Sequence, residues 1–213
     1  MKNLFIALVS FTVLASLGSC AKALQGMYGM KKYKVLNKEE ITEAAAKNKI
    51  PADAVFMLDT SYATYLMQFR QQFTSFTVEN HLHPIQAAYY DKNGVLMSYH
   101  SGVYADAGLA NFRWNIKGAF KQFPPSTCAP LDTMIDFERH LSFVRTLDNQ
   151  KLDYSKYNTA NANVIIHWTR FTGRQSKRLV RIVQKNAKQI RKGGVNFIYV
   201  NTDNLYQNAK PDY

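Results

Sequence analysis

Residues 166–177, written IHWTRFTGRQSK, place hydroxyl and basic side chains around one glycine. The pattern is that of a strand, a turn and the start of a helix, where the helix macrodipole disfavours cations by about 0.3–1 kcal/mol each. An anion bound by the first-turn N–H groups would offset that cost. The segment therefore predicts an anion-binding site. The candidate residues are Arg170, Thr172, Gly173, Arg174, Ser176, Lys177, Arg181 and Lys185.

The same region carries a long run of positive charge without acidic residues. No Asp or Glu occurs between Asn161 and Thr202. At helical spacing one basic stripe forms, and the apolar residues fall mostly on the other side. The stripe contains Lys177, Arg181, Lys185, Lys188 and Lys192. Its ligand would be lipid phosphate, lipopolysaccharide or an acidic polymer, and the alternative is a solvated face that only aids solubility. Nucleic acid is not expected, because no nucleic-acid-binding motif accompanies the charge.

A second candidate constellation has metal-ligand chemistry. Glu79, His81 and His83 alternate along the chain, so an extended backbone would point all three to one side, where they could hold zinc. The pattern also arises by chance, and we assign no metal and no cofactor. Cys128 is the only cysteine besides Cys20, and a lone cysteine is most often a small buried apolar residue.

The N-terminus predicts export. Residues 1–19 have the form of a signal peptide, and Leu17-Gly18-Ser19-Cys20 resembles a bacterial lipobox, which implies a lipidated Cys20. An ordinary signal peptide, which would leave a soluble exported protein, is the alternative. Residues 20–36 would form a tether. The expected location is the cell envelope, at the outer membrane facing the periplasm.

The apolar periodicity and turn signals predict mixed helices and strands. Helices are expected at 37–48, 60–72, 108–121, 130–147 and 175–191, and strands at 54–59, 84–90, 95–100, 164–169 and 195–201. Asn93-Gly94 predicts a hairpin turn. The last two strands and the helix between them would form a βαβ unit with a right-handed crossover.

This βαβ unit, with Trp168 and Gly173, resembles the active-site region of the thioredoxin-like superfamily. His83-Pro84 followed by a hairpin resembles the superfamily's proline, which is cis in that family. The two units occur in reversed order, so the chain would be either permuted or built from two incomplete thioredoxin-like modules. Residues 172–176 stand where the Cys-x-x-Cys motif would be. Thiol exchange needs a thiolate and a resolving thiol. The resemblance, which extends to uncharacterised thioredoxin-like lipoproteins of Bacteroidetes-type bacteria, therefore implies a redox-inactive scaffold.

The sequence thus predicts an α/β fold, a thioredoxin-like mixed sheet with flanking helices, with one segment at 37–125 and another at 126–213. We lean towards a single composite sheet over two incomplete modules. The expected function is that of a lipid-anchored binding or structural module, whose partners are its membrane, an anionic lipid or polysaccharide, or an envelope protein. The alternative is an enzyme with replaced chemistry, metal-dependent or with residual thiol activity.

Overall fold

A six-stranded mixed sheet organises the chain in the computed structural model. The structure describes residue 26 and residues 29–108, 111–157, 160–190 and 194–206, so Cys20 and Lys192 lie outside the described residues. The strands are β1 (Val55–Leu58), β2 (Gln86–Asp91), β3 (Leu96–Ser101), β4 (Asp106–Gly108), β5 (Asn111–Arg113), β6 (Val144–Arg145), β7 (Ala162–Trp168) and β8 (Val195–Asn201). The main sheet has the order β3-β2-β7-β8-β1-β6, and β4 and β5 form a separate two-stranded sheet. The α/β prediction is confirmed.

Five α-helices and several short 3-10 turns connect these strands in the part of the chain that the structure describes. The helices are α1 (Lys38–Lys47), α2 (Ser61–Met67), α3 (Ser75–Leu82), α4 (Phe137–Ser142) and α5 (Arg174–Ala187). Asn37 caps α1 in a capping box with Glu40, as its sequence predicts. The segment predicted as one helix at 60–72 forms α2 and then the 3-10 helix Gln68–Gln71.

The predicted βαβ unit is present as β7, α5 and β8. The two strands pair in parallel from Ala162 opposite Val195 to Trp168 opposite Asn201. All seven residues of β7 are buried, because helices or loops cover both faces of this central strand. This explains why its sequence is mostly apolar on both faces, with Asn163 and His167 as buried exceptions, instead of alternating.

Strands from both halves of the chain alternate in the sheet. The parallel pair β7 and β8 lies between β2 and β1, which come from the first half. One face packs Val164, Ile166 and Trp168 against α5 and α1. The other packs Ile165 and Ile198 against α2, α3 and α4. The segments 37–125 and 126–213 therefore share their apolar cores.

The prediction of a helix at 108–121 is wrong. Its residues form part of the β4–β5 hairpin and then the 3-10 helix Ile116–Lys121. Lys117 and Gly118 have φ values of 50° and 77°, in the left-handed region that an α-helix excludes. The Asn115 side chain accepts the Phe120 N–H, so a side chain replaces the α-helical backbone bond.

The predicted boundaries of the helix at 130–147 are also wrong, since only Phe137–Ser142 is helical in this segment. The Asp132 carboxylate accepts the Met134 N–H, and the Asp136 carboxylate accepts the Arg139 N–H. Asp136 therefore starts the helix late, because its side chain is a good N-cap. Leu131, expected on the apolar side, is 48% exposed.

The predicted tether joins the fold well before residue 36. The Lys31 N–H donates to the Phe171 carbonyl at 2.8 Å. Leu36 is buried, and its N–H and carbonyl both bond to the Asn204 side chain at 2.8 Å. The peptide bond before Pro84 is trans, whereas the thioredoxin-like superfamily that the sequence resembles has a cis proline at this position. Among the described residues, the cis bond is Phe123–Pro124.

Gly173 is the position where this packed segment leaves no room for a side chain. Its φ is 42°, and a Cβ there would overlap the Gly29 carbonyl oxygen. We expect Gly173→Ala to lower the free energy of unfolding by about 1–3 kcal/mol, because it adds left-handed strain to a steric overlap. Urea denaturation measures this. Gly194→Ala is the matched control, since its Cβ would meet its nearest neighbour at 3.9 Å and its φ is ordinary. Equal unfolding midpoints for the two variants would contradict the argument.

Candidate anion-binding site

A cavity of about 380 Å³ lies where the loop after β7 meets the end of α1 and the segment at residues 29–31. Its charged lining residues are all cations. They are Lys31, Lys47, Arg170, Arg174 and Lys177. We call this the basic cavity. The sequence pattern found Arg170, Arg174 and Lys177 but missed the two lysines, because they reach the cavity from elements more than 120 residues earlier in the chain.

Few acidic groups neutralise the basic cavity. Glu43 pairs with Lys47 on the surface of α1, and both side chains are about two-thirds exposed, so this ion pair contributes little. In the described part of the chain, Lys31, Arg170 and Lys177 form no salt bridge. Several positive charges therefore remain available to a ligand.

The basic stripe of α5 is present as predicted for the residues that the structure describes. Lys177, Arg181, Lys185 and Lys188 are exposed, whereas Leu179, Val180 and Val183 are buried against the sheet. A second cavity of about 510 Å³ lies beside the stripe. Its basic lining residues are Arg113, Arg178, Arg181 and Lys185. We call it the lateral cavity. Cations thus line a cavity on each side of α5, and Arg113 on β5 is another residue that the sequence pattern missed.

Thr172 and Ser176, predicted to contact an anion, do not line the basic cavity. Both are buried, and their hydroxyl oxygens lie 2.7 Å apart. The Thr169 N–H donates to the Ser176 hydroxyl, and the Thr169 and Thr172 hydroxyls lie 2.8 Å apart. The three side chains satisfy one another, because buried hydroxyls need partners in the interior. These hydroxyls are therefore not available to a ligand, and an anion at this site would be bound by the cations alone.

The counter-charge beside this loop is an internal carboxylate. Asp203 accepts the N–H groups of Arg170 and Phe171 and the Asn201 side-chain amide. Burial raises the pKa of the Asp203 carboxyl, and these hydrogen bonds oppose the rise. The sequence reasoning missed Asp203, although the parallel pairing of β7 and β8 brings the residues after both strands to one sheet edge.

The candidate metal ligands are not brought together. Glu79 and His81 belong to α3, where residues two apart point to different sides. Glu79 is exposed, His81 is buried with its Nε2 2.9 Å from Asp132, and the His83 ring bonds to the Ile85 carbonyl. No group of three potential ligands occurs among the described residues.

A buried polar chain that the sequence did not suggest links the sheet to α4. The Gln86 side-chain amide donates to His167 Nδ1 at 2.9 Å, which leaves the proton of a neutral His167 on Nε2. His167 Nε2 lies 2.9 Å from His140 Nε2, and His140 Nδ1 lies 2.9 Å from the Tyr90 hydroxyl. Burial lowers the pKa of His167 to about 3 and that of His140 well below its usual value. Both imidazoles are therefore neutral and join the elements that they bond.

Cys128 is unsuited to thiol chemistry. Burial raises the pKa of its thiol to about 11, so the reactive thiolate is scarce at neutral pH.

The fold and the site define a mixed α/β protein with a basic face and two basic cavities. Comparison with protein-family models, with curated proteins and with solved structures found no match. The helices within the described ranges are too short or too polar for a transmembrane span.

Buried neutral histidines predict acid sensitivity. Burial also lowers the pKa of His100, to about 4. Between pH 6.5 and about 4 the unfolded chain binds protons at these imidazoles that the folded protein does not, so stability falls as the pH falls. Each such histidine contributes up to about 1.4 kcal/mol per pH unit. Urea denaturation from pH 7 to pH 4.5 measures the slope.

His100→Phe provides the matched variant, because the His100 ring packs on Phe120 at 4.4 Å between centroids and an aromatic ring suits that contact. We expect its slope between pH 6 and pH 5 to be smaller by about 1 kcal/mol per pH unit. A slope unchanged from that of the wild type would show that His100 does not stay neutral in the fold.

Proposed function

We propose that the chain is an exported envelope protein, lipid-anchored at Cys20 and facing the periplasm at the outer membrane, that binds anionic groups through the basic face of α5. One observation carries this proposal. Lys177, Arg181 and Lys185 are exposed along α5, form no salt bridge in the described part of the chain, and line the two basic cavities.

The physical support is that the arrangement is unfavourable without a ligand. Like charges four residues apart on a helix repel by about 0.2–0.5 kcal/mol per pair. Lys177, Arg181 and Lys185 repeat this spacing without an intervening acid on α5. Solubility alone requires dispersed charge of either sign, whereas a one-sign stripe raises the local concentration of anions.

An enzymatic function receives no support from the two constellations considered. The hydroxyls of Thr172 and Ser176 are buried and bonded to each other, and Glu79, His81 and His83 do not converge. The proposed thioredoxin-like ancestry rests on the sequence resemblance, and we propose a scaffold that works by contact without electron transfer.

Vesicle binding tests the basic face. A protein lacking residues 1–20 keeps every described contact, so it reports binding without the anchor. We expect it to co-sediment with vesicles containing phosphatidylglycerol and to dissociate at high salt. Lys177→Glu with Lys185→Glu should weaken binding at least about 30-fold, since each lysine near an anionic surface contributes about 1 kcal/mol.

The matched control is Lys92→Glu with Lys156→Glu, which changes the net charge equally at exposed positions away from α5. Its binding should fall far less. Equal losses in the two double variants would mean that net charge alone governs the association, and retention by the Lys177 and Lys185 variant would remove the basic face from the function.

Insulin reduction tests the redox part of the proposal. We expect the purified protein to leave the rate of insulin precipitation by dithiothreitol unchanged, because the one described thiol has a raised pKa and lacks a resolving partner. A catalytic amount that accelerates precipitation, and loses this effect on Cys128→Ala, would contradict it.

A further inference from the structure

The segment that leads back towards the anchor leaves the fold at the basic cavity. Gly29 and Lys31 line that cavity. Lys31 is held by the Phe171 carbonyl, and the Arg170 guanidinium donates to the Lys32 carbonyl at 3.2 Å. The connection to Cys20 therefore starts among the cations at this end of the protein.

The connection is short. Nine peptide units join Cys20 to Gly29, and a fully extended chain of that length spans at most about 32 Å. If Cys20 carries the anchor, as the proposed function holds, Gly29 stays within that distance of the membrane. A short tether also raises the effective concentration of the surface near the cavity.

The β2–β3 turn borders a cleft whose ionisable lining is acidic. A cleft of about 570 Å³ lies between the β2–β3 turn and the segment that leads into α4. Its ionisable lining residues are Asp132, Asp136 and Glu138. We call it the acidic cleft. An anionic surface would repel these carboxylates.

The sheet register places the basic cavity and the acidic cleft far apart. Gln86 pairs with His167 near the end of β7 that leads to the basic cavity, whereas Asp91 pairs with Ala162 at the other end. The β2–β3 turn follows Asp91, so the part of the cleft that the turn forms lies about 20 Å away along the strands. In addition, α5 and α4 cover opposite faces of the sheet. The cations of the basic cavity and the carboxylates of the acidic cleft therefore lie apart, with the cations where the tether leaves.

Exposed apolar side chains accompany the cations at this exit. Met30 is 40% exposed, Tyr33 36% and Val35 52%. The Tyr33 ring contacts Phe171 edge-on at 6.3 Å between centroids. Tyrosine and basic residues together suit the boundary between headgroups and acyl chains. A soluble acidic polymer would gain little from exposed apolar side chains, so the combination favours a membrane.

We infer that the protein is oriented on its own membrane, with the basic cavity and the residue 29–35 segment against the phosphates of anionic headgroups and the acidic cleft turned away. This inference rests on the proposed function. It adds which surface is bound and which end of the protein faces it.

Energy transfer to the membrane surface tests the orientation in the full-length lipidated protein. A donor dye is attached at Ala46→Cys, next to cavity residue Lys47, or at Val95→Cys, on the acidic cleft, and both residues are exposed. Cys128→Ala is present in both proteins to exclude labelling there. The vesicles contain phosphatidylglycerol and a surface acceptor, rhodamine-phosphatidylethanolamine.

Transfer from the Ala46 position should exceed that from the Val95 position by about twofold, because transfer falls steeply with distance and the β2–β3 turn lies about 20 Å along the strands from the end that leads to the basic cavity. The difference should shrink in 1 M KCl, where the Debye length is about 3 Å. It should also shrink in pure phosphatidylcholine vesicles and on Lys177→Glu with Lys185→Glu, but not on Lys92→Glu with Lys156→Glu.

Equal transfer from the two positions on anionic vesicles would overturn the orientation. The proposed function would survive if the protein lacking residues 1–20 still co-sediments with those vesicles, so the two failures are distinguishable. Tighter binding of that protein to inorganic polyphosphate than to vesicles, at equal phosphate concentration, would also overturn the inference by making a polymer the ligand.

Discussion

The parallel pairing of β7 with β8 is the constraint on which the rest of the structure depends. It brings the residues after both strands to one sheet edge, where the Asp203 carboxylate binds the N–H groups of Arg170 and Phe171. These two hydrogen bonds hold the loop that leads into α5, and Gly173 in that loop leaves room for the Gly29 backbone. The cations of the loop, of α1 and of the N-terminal segment thereby converge on one cavity.

The internal carboxylate also changes how the charge of α5 is understood. A cluster of cations at a helix start suggests an anion bound by the first-turn N–H groups. Here the hydroxyls of Thr169 and Ser176 and the Asp203 carboxylate accept the N–H groups of residues 169–172, in the turn before α5. Any external anion therefore meets side-chain cations on the surface, which suits a diffuse partner such as a layer of headgroups better than one enclosed ion.

The predictions from sequence that proved wrong share a physical cause. At 108–121 and 130–147 the apolar spacing fits a helix, but side chains of Asn115 and Asp136 bind nearby backbone N–H groups and set different boundaries. The Glu79, His81 and His83 hypothesis assumed an extended backbone, and α3 rotates these residues apart. Such outcomes depend on short polar side chains that compete with the backbone ladder, and local spacing does not reveal which partner they choose.

The sequence by itself determined the elements with a continuous period: α1 with its capping box, the β2–β3 hairpin, and the β7–α5–β8 unit with its basic outer stripe. These follow from local propensity and burial of one face. Only the tertiary structure decided that Lys31 and Lys47 join the basic cavity, that Asp203 holds its loop, and that His140, His167 and Gln86 form a buried chain. Such contacts connect residues 27 to more than 120 positions apart, and they depend on strand order, which local periodicity does not encode.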